Sequence, residues 1–146
     1  MKKITLFLLL LIWSCGYQPI HSNKNINNFV FKEIKLVGNK NLNREIISTL
    51  SIKEDASANN ILSLSSSLNI EETSKNSLGE VTSYRTTVNV ELTINDQYGT
   101  EKNKIFSKNF SYNNKDNKFD LVQHQDQIRN NLIDKIIEEI LIYINL

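Results

Sequence analysis

The chain has 146 residues with 17 basic and 16 acidic side chains, a net charge of +1, and a single cysteine, Cys15. The near-neutral balance excludes a general binder of nucleic acid or other polyanions, and the lone cysteine excludes an internal disulfide framework. The length suits one domain with a single modest core.

Met1-Lys2-Lys3 supplies a positive start, and Ile4 to Trp13 is an apolar run of roughly ten residues, too short to span a bilayer of about 30 Å as a helix. It reads as the hydrophobic region of a signal peptide. Ile12-Trp13-Ser14-Cys15-Gly16 then resembles the lipobox of bacterial lipoproteins, with Trp13 as its departure where a small residue is usual. That resemblance implies cleavage before Cys15, acyl chains on its thiol and new amino group, and a stable anchor from two or three chains. Residues 1–14 are thus expected to be a signal peptide and residues 15–28 the acylated cysteine and a tether, polar and containing Pro19. Loss of Lys2 and Lys3 from the 17 basic residues leaves 15 against 16 acidic ones, a mature net charge of about −1. Glycine after the cysteine is compatible with sorting to the outer membrane, by resemblance to enterobacterial lipoproteins.

The domain is expected over residues 29–146. Phe29 to Val37 is a strand candidate with apolar residues on both phases: Val30, Ile34 and Leu36 on one, Phe29 and Phe31 on the other. Gly38-Asn39-Lys40-Asn41 is a turn cluster. Leu42, Ile46, Ile47 and Leu50 then recur at helical spacing to about Ile52, with Asn41 or Asn43 as the cap. Lys53 to Asn60 reads as a polar loop, and Leu62, Leu64, Leu68 and Ile70 alternate with polar residues in a half-buried strand that turns at Ser74 to Gly79.

From Thr82 the alternation is cleanest: Tyr84, Val88, Val90, Leu92 and Ile94 face one way, and Ser83, Arg85, Thr87, Asn89, Glu91 and Thr93 the other. Asn95 to Gly99 has turn chemistry, and Ile105 to Tyr112 returns with Phe106, Phe110 and Tyr112 on one side. After a polar loop at Asn113 to Lys118, Asp120 and Gln123 suggest a capping box. Val122, Leu132, Ile133, Ile136, Ile137, Ile140, Leu141 and Ile144 then make an apolar stripe at helical period. The expected fold is α+β, a two-layer sandwich in the order β-α-β-β-β-α: a four-stranded mixed sheet with two helices on one face. Val88, Val90, Leu92 and Ile136 are expected to share its core.

Gly79-Glu80-Val81-Thr82-Ser83-Tyr84-Arg85, the alternating strand Thr86 to Ile94, the returning strand, the long helix with early glutamines and the start Cys15-Gly16-Tyr17 together resemble the LptE family. These lipoproteins partner the outer-membrane barrel that inserts lipopolysaccharide. The resemblance implies a plug and assembly factor at the periplasmic face of the outer membrane, bound to an LptD-like barrel and in contact with lipopolysaccharide. Phosphates of that lipid call for Lys or Arg donors, and the candidates are Arg85, Lys108, Lys115 and Lys118. Lys108 shares a phase with Phe106 and Phe110; its alternative reading is an edge-strand lysine that blocks aggregation. For Arg85 and the loop lysines the alternative is ordinary solvation.

No enzyme, cofactor or metal is expected. His21 and His124 stand without a second ligand or nucleophile at diagnostic spacing, and there is no phosphate loop, nucleophile elbow or CxxC. Two other binding readings share the anchor. Phe31 to Leu42 looks like the opening of a POTRA module, which aids outer-membrane protein assembly by strand addition, but such a module closes on strands where this chain has a helix. A generic or pilotin-like lipoprotein would lack the sheet order.

Overall fold

The computed structural model describes residues 29–145, so Cys15, the tether and His21 lie outside the described residues. Eight elements follow in order: β1 (Val30–Phe31), β2 (Glu33–Gly38), α1 (Lys40–Thr49), β3 (Lys53–Glu54), β4 (Ile61–Lys75), β5 (Val81–Asn95), β6 (Glu101–Asn113) and α2 (Lys118–Ile144). The main sheet has the order β2-β4-β5-β6, with β2 parallel to β4 and the rest antiparallel; β1 and β3 form a separate parallel pair. Both helices pack on one face. The expected α+β architecture is the observed one.

β5 is the spine of the layer. Its helix-facing residues Val88, Val90 and Leu92 are fully buried, as are Leu62 and Leu64 of β4, Ile46 of α1, and Ile136 and Ile140 of α2. These residues belong to one continuous core, so Val88, Val90, Leu92 and Ile136 do share it. Thr86 is buried on the same phase, its hydroxyl hydrogen-bonded to that of Tyr112 at 3.1 Å. Tyr112 stacks on Tyr84 directly across the strands and meets His124 edge-on, with centroids 5.9 and 5.6 Å apart. His124 is therefore a packing residue at the start of α2.

Several local expectations are corrected. The first strand is broken by a bend at Lys32 into β1 and β2. The bend shifts the pleat by one residue, so Phe31 on one phase and Ile34 on the other both join the helix side, which explains the two-sided pattern. Asn39, one residue past β2, caps α1 by accepting the Leu42 N–H. Asn43, expected as a possible cap, is instead buried: its amide donates to the Val37 carbonyl at 2.8 Å and accepts from the Ser66 hydroxyl at 2.6 Å. This polar contact ties β2, α1 and β4 at one corner. Gly38 sits there at φ +83°, where a Cβ would lie 2.2 Å from the Ser66 carbonyl oxygen.

Asn117 caps α2, and Asp120 falls in the first turn. There its charge favours the helix N-terminus without being the cap. Val122 is exposed, and Ile128, outside the expected stripe, is buried. The expected turn at Ser74 begins later, since β4 runs to Lys75 with a bulge near Ser74.

Candidate partner-binding surface

Among the described residues the helices cover one face of the sheet and leave the other open. On the open face β4 presents Ser63, Ser65, Ser67 and Glu71; β5 presents Arg85, Thr87, Asn89, Glu91 and Thr93; and β6 presents Asn103, the exposed Ile105, Ser107 and Ser111. These side chains bond to one another across strands. Asn89 donates to Ser67 at 3.5 Å and accepts from Ser107 at 2.6 Å, and Asn103 donates to Glu91 at 2.8 Å and to Thr93 at 2.9 Å. Arg85 donates to the Ser111 hydroxyl at 3.1 Å and faces Glu71 at 3.8 Å. At the β2 margin Lys35 lies 3.9 Å from Glu33. The face is thus mostly polar, with Val37 and Ile105 exposed among its serines, threonines and asparagines, and with Arg85 and Lys35 each set near an acidic side chain.

The four candidate cations do not form one cluster. Arg85 lies on the open face, and Lys108 lies on the opposite, helix-facing phase, paired with Glu139 of α2. Lys115 and Lys118 are exposed in the β6–α2 loop and at the first residue of α2, without an ion pair among the described residues. The cation set against aromatic rings is Lys104, which sequence reasoning passed over: its ammonium lies 5.8 Å from the Phe106 centroid and 5.6 Å from that of Tyr143. The available signal was its phase, two residues before Phe106. Tyr143, far off in sequence, is brought there only by the packing of α2 on β6.

Among the described residues no group of three or more His, Cys, Asp or Glu side chains could hold a metal ion, and no helix is long and apolar enough to cross a membrane. Glu139 of α2 is taken by Lys108. A second ion pair, Arg129 to Glu45 at 2.7 Å, joins the two helices and lies away from the open face.

No protein-family model matches the sequence, and no curated protein sequence matches it. Solved structures do match in fold. Rare lipoprotein B from Shewanella oneidensis aligns with a TM-score of 0.58 at 16% identity, over 77% of this chain and 93% of that one. Lipoprotein B from Nitrosomonas europaea gives 0.54 at 11% identity, over 85% and 88%. A minor lipoprotein from Acinetobacter baumannii gives 0.50 at 16% identity, over 77% and 89%. At these identities the likeness is one of fold alone, and it extends over most of each chain.

Proposed function

We propose that this chain is an LptE-like lipoprotein, anchored through acyl chains on Cys15 at the periplasmic face of the outer membrane, that binds and plugs the barrel delivering lipopolysaccharide to the surface. It acts by occupancy and turns over no substrate. The observation that carries this reading is the open sheet face. The fold likeness to rare lipoprotein B supports it, and so does the sequence resemblance already described.

Barrel interiors are polar where the outer wall is apolar. A plug therefore needs a wide surface that is polar enough to replace lumen water and carries little unmatched charge, since a buried unpaired charge is costly. The Ser, Thr and Asn rows on β4, β5 and β6 have that character, and Arg85 is already braced between Glu71 and Ser111. Lys115 and Lys118, exposed and without an ion pair among the described residues, are the better placed donors for lipid phosphates. Lys108, committed to Glu139, serves the helix–sheet contact first.

Depletion tests the reading. The expected result is a misassembled barrel, a cell surface poor in lipopolysaccharide, and loss of one barrel from material co-purified with the tagged protein. Intact surface lipopolysaccharide together with a general failure of unrelated outer-membrane proteins would overturn it in favour of a chaperone of the POTRA kind. Cys15→Ala is expected to leave uncleaved precursor and to abolish detergent partitioning; normal processing of that variant would remove the anchor.

A further inference from the structure

We infer that the free edge of β6 is built to receive an added strand from a partner protein, an extended segment acidic at one end and apolar at the other. This goes beyond the plug reading and stands on the geometry and the charges of this edge.

β6 is the last strand of the sheet, 13 residues long and, among the described residues, paired only with β5. The hydrogen bonds just outside the paired segment fix its alternation: Asp96 N–H donates to the Thr100 carbonyl at 3.1 Å, and Asn114 N–H to that of Thr82 at 2.8 Å. Bonded pairs recur at every second residue of an antiparallel ladder. The even-numbered residues of β6 therefore exchange bonds with β5, and Asn103, Ile105, Ser107, Asn109 and Ser111 turn their N–H and C=O groups outward. None of these five amides finds another partner among the described residues. The opposite edge of the sheet is closed in part. β2 has six residues, and the Glu54 carboxylate accepts the Ile34 N–H at 2.8 Å, filling a position an incoming strand would need.

Charge selects the occupant. The helix-facing phase of β6 reads Lys102, Lys104, Phe106, Lys108, Phe110, Tyr112. Lys108 is neutralised by Glu139, whereas Lys102 and Lys104 have no acidic partner among the described residues. A second copy paired antiparallel on this edge would set lysine opposite or diagonal to lysine in any register centred between Lys104 and Lys108, which like-charge repulsion disfavours. Acidic side chains on the incoming strand meet Lys102 and Lys104 instead. Towards the other end the edge turns apolar. Phe110 is 51% exposed and, with Ile128 and Leu132 of α2, lines a shallow groove bordered by His124, Asn131 and Lys135.

The test uses the purified protein and two labelled peptides of about ten residues, long enough to cover the free edge. One alternates serine with acidic then apolar residues; the other replaces the acids by lysine; each is also made in reversed sequence. Fluorescence anisotropy should show the acidic peptide binding about tenfold tighter than the lysine one, and K102E/K104E should invert that preference. Ser107→Pro removes one outward N–H without removing a bond to β5 and should abolish binding of either peptide. Amide exchange provides a reading that needs no variant to fold: the acidic peptide should protect the amides of Asn103, Ile105, Ser107, Asn109 and Ser111. Equal binding of the two peptides, or no added protection at these five amides, overturns the inference.

Discussion

The two faces of the sheet carry the same alternation and are held by different physics. Beneath the helices, Leu62, Leu64, Val88, Val90 and Leu92 are wholly out of water. Their contribution comes from removal of apolar surface, about 25 cal/mol per Å², and from close packing that fixes each side chain's volume. On the open face β4, β5 and β6 are joined by hydrogen bonds among serines, threonines and asparagines that water can replace. Such cross-strand pairs are worth about 0.2–1 kcal/mol each. The covered face therefore determines the fold, and the open face can be remade, or covered by a partner, at small cost to stability.

The largest effect expected is on the covered face. Leu92→Ala or Ile136→Ala should cost about 2–5 kcal/mol in urea unfolding, because a fully buried side chain leaves a cavity its neighbours only partly fill. Asn89→Ala, on the open face of the same strand as Leu92, should cost less than about 1 kcal/mol. Similar costs for Leu92→Ala and Asn89→Ala would break the comparison, since they would mean that the open face is also a buried one.

Intermediate effects belong to the corner where a polar group enters the covered side. Asn43→Ala leaves the buried Ser66 hydroxyl without its 2.6 Å partner and should cost about 1–3 kcal/mol. Gly38→Ala places a Cβ 2.2 Å from a backbone oxygen at positive φ, so β2 or β4 must shift. It should cost about as much, roughly 1–3 kcal/mol, as other residues forced into sparsely populated backbone regions. A double variant resolves the coupling. Because both positions serve one β2–α1–β4 contact, the combined cost should fall short of the sum.

How far this was legible in the sequence follows the same division. Where one face is buried and the other solvated, alternation suffices: Val88, Val90 and Leu92 were placed correctly from period two alone. It fails where a polar residue is buried with a distant partner. Thr86 and Ser66 sit on the core phase and Asn43 on the inward side of α1, and each is satisfied by a group 23 to 26 residues away. Local spacing holds no trace of those partners. The bend at Lys32 was visible only as an apolar pattern on two phases, and the two-residue strand β3 depends on backbone bonds to Phe29 and Phe31. Among the candidate cations, Arg85 and Lys108 could be assigned a phase, but their partners Glu71 and Glu139 depend on strand register and helix packing. The edge position of β6 is set by strand order, which no single segment encodes.

The finest version of the comparison lies at the two ends of β5, where hairpin turns of like backbone design open on Asn76, whose amide also donates to the Glu80 carboxylate at 2.8 Å, and on Asp96. Asn76 accepts the N–H groups of Leu78 and Glu80 at 2.9 and 3.0 Å, and Asp96 accepts those of Tyr98 and Thr100, each at 2.8 Å. Of the two side-chain oxygens that accept these turn amides, only that of Asp96 can be protonated. The Thr100 amide foremost holds the Asp96 carboxyl below the ordinary aspartate value; desolvation opposes it, and the Tyr98 amide adds to the lowering. A depressed folded-state pKa contributes stability that is fully present above the unfolded value, about 4, and is lost as pH falls through the folded one. The contribution is small because the carboxylate lies at the protein surface, where water screens it, and it is local. Between about pH 6 and about pH 2.5, amide protection at Tyr98 and Thr100, relative to unstructured peptides, should fall while that at Leu78 and Glu80 holds. Asp96→Asn should remove the difference between the two ends. Loss of protection at both turns together would point to acid unfolding of the whole sheet, and retention at both would show that the Asp96 charge does not hold its turn.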